Sequence, residues 1–195
     1  MNKLSVVLGH QVEQQVAFVG PFGVGKTTAL RAISDVPVVN TDVDSAEAVG
    51  HLTLQPSGKT TTTVGLDYGE WRFPDGKVVA LIGVPGQDRF DAMWDALLPR
   101  SSAIVLWIYG DRDPTRLECR KWLQALAQRK AVARLAVAVT RVPDGQEQQV
   151  LDSVRELVTR FHPLAPVLSA DPREPADVLQ AVTMALVTPY TALQA

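Results

Sequence analysis

Residues Gly20 to Thr28 read Gly-Pro-Phe-Gly-Val-Gly-Lys-Thr-Thr, directly after the apolar run Val16-Ala17-Phe18-Val19 and directly before Ala29-Leu30-Arg31-Ala32-Ile33. This is G-x-x-x-x-G-K-[ST] between a strand-like and a helix-like segment, the setting in which that spacing forms a phosphate-binding loop. The residue types explain the chemistry. Gly20, Gly23 and Gly25 let the chain curl tightly enough to turn backbone N–H groups inward, with Phe22 and Val24 between them. The helix that starts there adds unpaired first-turn amides, Thr28 included, and its positive dipole end. Lys26 is placed to lie along β- and γ-phosphates, and the Thr27 hydroxyl to ligate Mg²⁺. The alternative is a glycine-rich turn that merely begins a helix, which requires a coincidence of about one per cent in a chain of average composition.

Working outward, apolar runs and helical patterns alternate. Strands are expected at Val16–Gly20, Val64–Phe73, Lys77–Val84, Ala103–Tyr109, Leu135–Thr140 and Val167-Leu168, with a further short strand at Leu4–Leu8. Helices are expected over Gly25–Ser34, Phe90–Leu98, Pro114–Lys130, Gln146–Phe161 and Pro175–Val187. The tight-turn signal Pro74-Asp75-Gly76 makes the second and third strands an antiparallel hairpin. Asp35 to Thr62 reads as a long loop, functional or mobile, in which Asp42 and Asp44 are solvated. The alternation predicts an α/β fold, a mostly parallel six-stranded sheet with one antiparallel edge strand and helices on both faces. Gly20, Gly83, Tyr109, Thr140 and Ser169 then fall at carboxyl ends of strands, where such sheets bind ligands.

Composition narrows the function classes. At 195 residues the chain is expected to be a single domain, with its core over about 16–190. A formal net charge of −2 gives no polyanion-binding surface, so no nucleic-acid partner is expected. Apolar runs are too short to insert in a membrane, and one cysteine, Cys119, fits helix packing in a reducing cytoplasm.

Two further stretches carry a resemblance. Thr63-Val64-Gly65-Leu66-Asp67-Tyr68-Gly69 resembles the first switch of Ras-superfamily GTPases, and Pro85-Gly86-Gln87-Asp88-Arg89-Phe90 resembles the second. The run of threonines from Thr60 to Thr63 and the Pro-Gly-Gln sequence are most similar to bacterial Ras-like GTPases of the conservon and gliding-motility types. The resemblance implies a Ras-like P-loop fold and a cytoplasmic bacterial switch that binds GTP and GDP with Mg²⁺ and hydrolyses GTP slowly. It implies that Thr63 joins Thr27 at the metal, that the Gly86 amide holds a γ-phosphate oxygen, and that Gln87 orients the attacking water beside Lys26. Partners by the same resemblance are guanine nucleotides and protein effectors, roadblock-type proteins among them.

Three departures qualify it. Gly83 stands where the family has an aspartate that holds Mg²⁺ through water. Phe22 stands where a small residue is usual, and its ring would obstruct an arginine finger supplied by a partner. Thr140 and Arg141 stand for the first two positions of the guanine-reading N-K-x-D, but Pro143 takes the aspartate's place and Asp144 follows it. Asp144 either returns to the base through a bulge or belongs to a Pro-Asp-Gly turn. Ser169-Ala170-Asp171 resembles the S-A-K loop that backs the base through main-chain amides, or else caps the last helix. Arg89 and Trp94 flank the second switch as a partner-binding face, or Trp94 packs in the core; Trp71, Trp107 and Trp122 are expected in the core. Two other readings therefore stay open: a nucleotide-binding scaffold that does not hydrolyse, and a P-loop ATPase with relaxed base specificity.

Overall fold

Strand β1 (Val12–Val19) runs through the middle of the sheet because Val16 to Val19 offer no side chain that needs water, and all four are 0% exposed. The structure is a computed structural model that describes residues 12–40, 66–73, 75–86, 91–112 and 115–187. After β1 come α1 (Lys26–Ile33), β2 (Val39–Asn40), β3 (Asp67–Arg72), β4 (Val78–Gly83) and α2 (Asp91–Leu97). A 3₁₀ turn over Leu98–Arg100 leads to β5 (Ala103–Tyr109), α3 (Thr115–Gln128), β6 (Leu135–Thr140), α4 (Glu147–Val158), β7 (Val167–Ser169) and α5 (Pro175–Val187). Pro99 sits in the first turn of that 3₁₀ segment, where its missing N–H leaves no bond unmade.

The sheet order is β2-β3-β4-β1-β5-β6-β7, parallel from β4 to β7 and antiparallel at β2–β3 and β3–β4. The expectation of six strands with one antiparallel strand at the edge is corrected to seven, with β3 one place in from the edge. The extra strand, Val39–Asn40, is only two residues long, too short for any periodicity to reveal. It is brought to β3 by contacts just before it. The Asp35 N–H donates to the Glu70 carbonyl oxygen at 2.7 Å, and the Asp35 carboxylate accepts from the Arg72 N–H at 2.7 Å. The expected strand at Leu4–Leu8 lies outside the described residues.

Alternation along the strands builds two apolar layers. Ala17, Val19, Ile82, Leu106 and Ile108 pack under α2, α3 and α4 on one face; Val16, Phe18, Leu81, Val105 and Trp107 pack under α1 and α5 on the other. Trp94 is buried, 4.6 Å from Trp122 between ring centroids, and its indole N–H donates to the Pro85 carbonyl oxygen at 3.0 Å. Packing therefore wins over a binding face for this residue. Trp107 and Trp122 are buried as expected, one in each layer, and Trp71 leans on the layer of Trp107 beside Phe73. Cys119 is fully buried in α3, and burial pushes its thiol up to about 12.

Away from the ligand end, His162 is fully buried, and its Nδ1 accepts the Leu164 N–H at 3.2 Å. Burial lowers the imidazole pKa, against a smaller opposing effect of the Ala133 backbone. The folded state therefore binds fewer protons than the unfolded chain as pH falls below the ordinary histidine value of about 6.5. Stability from this group is expected to be fully present above pH 7 and to fall as pH drops below about 6.5. Chemical unfolding at stepped pH checks this, with His162→Asn expected to flatten the slope below that value.

Candidate functional site

β1 stops at Gly20 because the chain must pass the end of β5 there: a Cβ on Gly20 would strike the Trp107 carbonyl oxygen, and its φ is 136°. The loop then turns at Gly23 and Gly25, with φ of 75° and 110°, a region that L side chains rarely enter. Gly25 is the N-cap of α1 and supplies no side-chain cap, so the first-turn N–H groups of the helix stay open to an anion. Pro172, in the loop after β7, packs on Gly25 so closely that a Cβ there would lie 2.7 Å from its Cγ.

Lys26 lies back over its own loop. Its Nζ donates to the carbonyl oxygens of Gly20 and Pro21 at 2.8 and 2.9 Å. Burial pulls its pKa down to about 8, although the nearby Asp67 carboxylate pulls the other way. Gly86 sits against the same loop, since a Cβ on it would strike the Gly20 carbonyl oxygen and lie 2.9 Å from the Phe22 nitrogen. The segment after β4 is thus in backbone contact with the phosphate loop. Thr63, Gln87 and Arg89 lie outside the described residues.

Asp67 belongs to the first-switch stretch, where the sequence assigns it no role, and the structure gives it one. The Thr27 hydroxyl donates to Asp67 Oδ2, while Oδ1 is buried with no hydrogen-bond partner. In the hairpin register Asp67 pairs with Gly83. A Cβ on Gly83 would lie 2.9 Å from the Asp67 Cβ and 3.0 Å from Oδ2. The carboxylate therefore enters from the neighbouring strand, into space that only a glycine at 83 leaves. A buried carboxylate oxygen left unpaired is costly unless a cation or donor meets it. The pair thus fits Mg²⁺, with the Thr27 oxygen as a ligand and the Asp67 carboxylate behind it, since that ion takes one or two protein oxygens and completes its shell with phosphate and water. Among the described residues there is no cluster of three or more His, Cys, Asp or Glu. Equal steps outward from Pro74-Asp75-Gly76 would have placed residue 67 opposite 83, which is the signal that could have found this pair.

Across the ends of the strands from that loop, Thr140 is buried at the end of β6, and its carbonyl oxygen accepts the Gly110 N–H at 2.7 Å. Arg141 follows with φ 55°, uncommon for a residue with a side chain, and its guanidinium lies 5.1 Å from the Tyr109 ring centroid. Asp144 is exposed in a turn closed by the Gln146 N–H on the Pro143 carbonyl oxygen at 3.1 Å. The Ala170 N–H donates to the Val139 oxygen and the Asp171 N–H to Asp177 Oδ2, both at 2.9 Å. The Asp171 carboxylate is gripped by the Arg173 guanidinium, which holds it down at about 2. Ser169 ends β7 beside them. The loop after β1 and the start of α1 are thus held in one arrangement, whereas the amides after β7 are already engaged within the protein.

Neither a protein-family model nor a curated protein matches the chain. Among solved structures it is similar to the crystal structure of an S. thermophilus NFeoB mutant bound to GDP, with a TM-score of 0.58 and 16% sequence identity. The match covers 93% of this chain and 64% of that one, so the chain spans less than two thirds of that protein's length. At this identity the likeness is one of fold. No helix among the described residues is long and apolar enough to cross a membrane. The chain therefore has a mostly parallel α/β fold shared with a GDP-bound protein, and carries a phosphate loop at the end of its central strand.

Proposed function

We propose that the chain is a small GTPase of the bacterial Ras-like type, a switch that binds GTP and GDP with Mg²⁺. The observation that carries this is the junction of the loop with β3. Lys26, the open first turn of α1 and the Thr27–Asp67 pair converge where a Mg²⁺-bound phosphate chain would need them. In this reading Lys26 neutralises the phosphates, while Thr27 and Thr63 hold the metal with Asp67 behind them. Mg²⁺ would draw charge off the β- and γ-phosphates. Gly86 senses the γ-phosphate through its backbone, supported by its contact with the loop, and Gln87 orients the attacking water. Partner proteins, roadblock-type ones included, would read the two states from the segments around Thr63 and Gln87.

Slow hydrolysis is supported by Phe22, a bulky residue 77% exposed in the loop, where a ring would obstruct a partner's arginine. Phe22→Gly is expected to raise the single-turnover rate or make it respond to a partner. Unchanged rates with and without the partner would count against this and favour the non-hydrolysing scaffold.

A second reading, a P-loop ATPase with relaxed base choice, is favoured by the exposed Asp144 and the engaged amides of Ala170 and Asp171. Competition against a bound fluorescent GDP analogue separates the two. Displacement by GTP and GDP but not ATP supports the switch, with Asp144 or a substitute reading the base. Equal displacement by ATP supports the ATPase. No binding of any nucleotide sinks both.

A further inference from the structure

The front of the phosphate loop is a four-residue turn, closed by the Val24 N–H on the Pro21 carbonyl oxygen at 3.4 Å with Gly23 in its third position. The Gly23 φ of 75°, with Phe22 not at positive φ, is that of a type II turn. Types I and II differ mainly by a flip of the central peptide, here the Phe22 C=O with the Gly23 N–H. Something must hold that peptide if the loop is to present one face.

Tyr109, at the end of β5, holds it. Its hydroxyl donates to the Phe22 carbonyl oxygen at 3.0 Å, and a Cβ on Gly23 would stand 3.1 Å from the same hydroxyl. C=O and N–H of a trans peptide point opposite ways. Tethering the carbonyl down to Tyr109 therefore leaves the Gly23 N–H directed to the open side of the loop. The phenol is itself fixed. Its residue is 1% exposed, its main-chain oxygen accepts the Thr115 hydroxyl at 2.7 Å, and the Arg112 guanidinium lies 3.6 Å from the ring centroid. Arg141 approaches the same ring at 5.1 Å. Cations over the ring face are attracted to it and help fix its plane. A hydrogen bond to a carbonyl strengthens the N–H at the other end of the same peptide.

We propose that Tyr109 is a positioning residue for the phosphate chain. Its hydroxyl holds the Phe22–Gly23 peptide in the orientation that presents the Gly23 N–H, and Arg112 and Arg141 help fix the ring that carries it. The inference rests on the nucleotide reading above and adds a residue that none of the loop motifs contains.

The test is release of a fluorescent GDP analogue from the wild-type protein, Tyr109→Phe and Arg112→Gln, with amide proton shifts recorded for the complexes. Tyr109→Phe keeps the buried ring and is expected to speed release about fivefold, the effect of one neutral hydrogen bond. Arg112→Gln should shift release in the same direction by less. The Gly23 amide proton should move upfield in Tyr109→Phe while the Gly25 amide stays in place, which general loosening would not produce. Wild-type release rates with an unmoved Gly23 amide overturn the proposal, as do equal shifts at Gly23 and Gly25. A wild-type protein that binds no nucleotide removes the reading beneath it, a different failure from a bound nucleotide indifferent to Tyr109.

Discussion

Replacing Asp67 with alanine is expected to abolish most of the gain in GDP affinity that Mg²⁺ confers, about 10–100-fold, the usual cost of losing a carboxylate behind a metal's direct ligands. The physical ground is the orphaned Oδ1 beside the Thr27 hydroxyl. Affinity without Mg²⁺ should change little or improve, because removing a buried anion relieves repulsion of the phosphates. The decisive comparison is the exchange Asp67→Gly with Gly83→Asp. Register puts the two positions opposite each other, so the exchange returns one carboxylate to nearly the same space from the other strand. Gly83→Asp alone should be destabilising, because its Cβ meets that of Asp67 at 2.9 Å. If the exchange restores the Mg²⁺ effect lost in Asp67→Ala, the carboxylate matters by where it points and not by the strand that carries it. Equal Mg²⁺ enhancement in wild type and Asp67→Ala would remove Asp67 from the metal site.

The second large effect is one of pH. Lys26 in the free protein has its pKa pulled down to about 8 by burial. Phosphates bound against it favour the ammonium and raise that value. Between the free and bound values, binding therefore takes up a proton. Observed affinity should be level with respect to this group below pH 8 and fall above it, by up to about tenfold per pH unit. Stability of the free protein runs the other way. The unfolded lysine titrates near 10.5, so from about pH 8 to 10.5 the unfolded chain binds more protons and stability from this group rises with pH. Affinity titrations and unfolding at matched pH thus predict opposite slopes in one window. Lys26→Arg should lose both slopes, since a guanidinium does not titrate there. Lys26→Met should cost about 10–100-fold in affinity at pH 7. A wild-type affinity that stays level from pH 7.5 to 9.5 would show that Lys26 is already charged in the free protein over that range, or that its ammonium does not face the phosphates.

Much of the architecture was legible in residue order. The bounds of β5, β6 and α5 follow from Ala103–Tyr109, Leu135–Thr140 and Pro175–Val187, where long apolar or amphipathic runs end abruptly. β2 was not legible, because two residues carry no period and its pairing depends on Asp35 reaching the backbone of Glu70 and Arg72. Trp94 was ambiguous in sequence, since an aromatic after a loop serves a core or a surface equally well. The hydrogen bond to Pro85 and the ring of Trp122 decide it.

The division at the site has a physical cause. The phosphate loop is local: glycines, a lysine and a threonine within nine residues act through backbone curvature and a helix terminus, so their spacing alone determines the cradle. Asp67 and Tyr109 act across 40 and 87 positions of chain. Only strand register sets the first of them opposite Gly83, and only packing of β5 beside β1 brings the second under Phe22. Residue order by itself determined where the loop that could hold a phosphate chain lies. Tertiary structure decided which carboxylate stands behind the Thr27 hydroxyl, and which hydroxyl holds the loop to its shape.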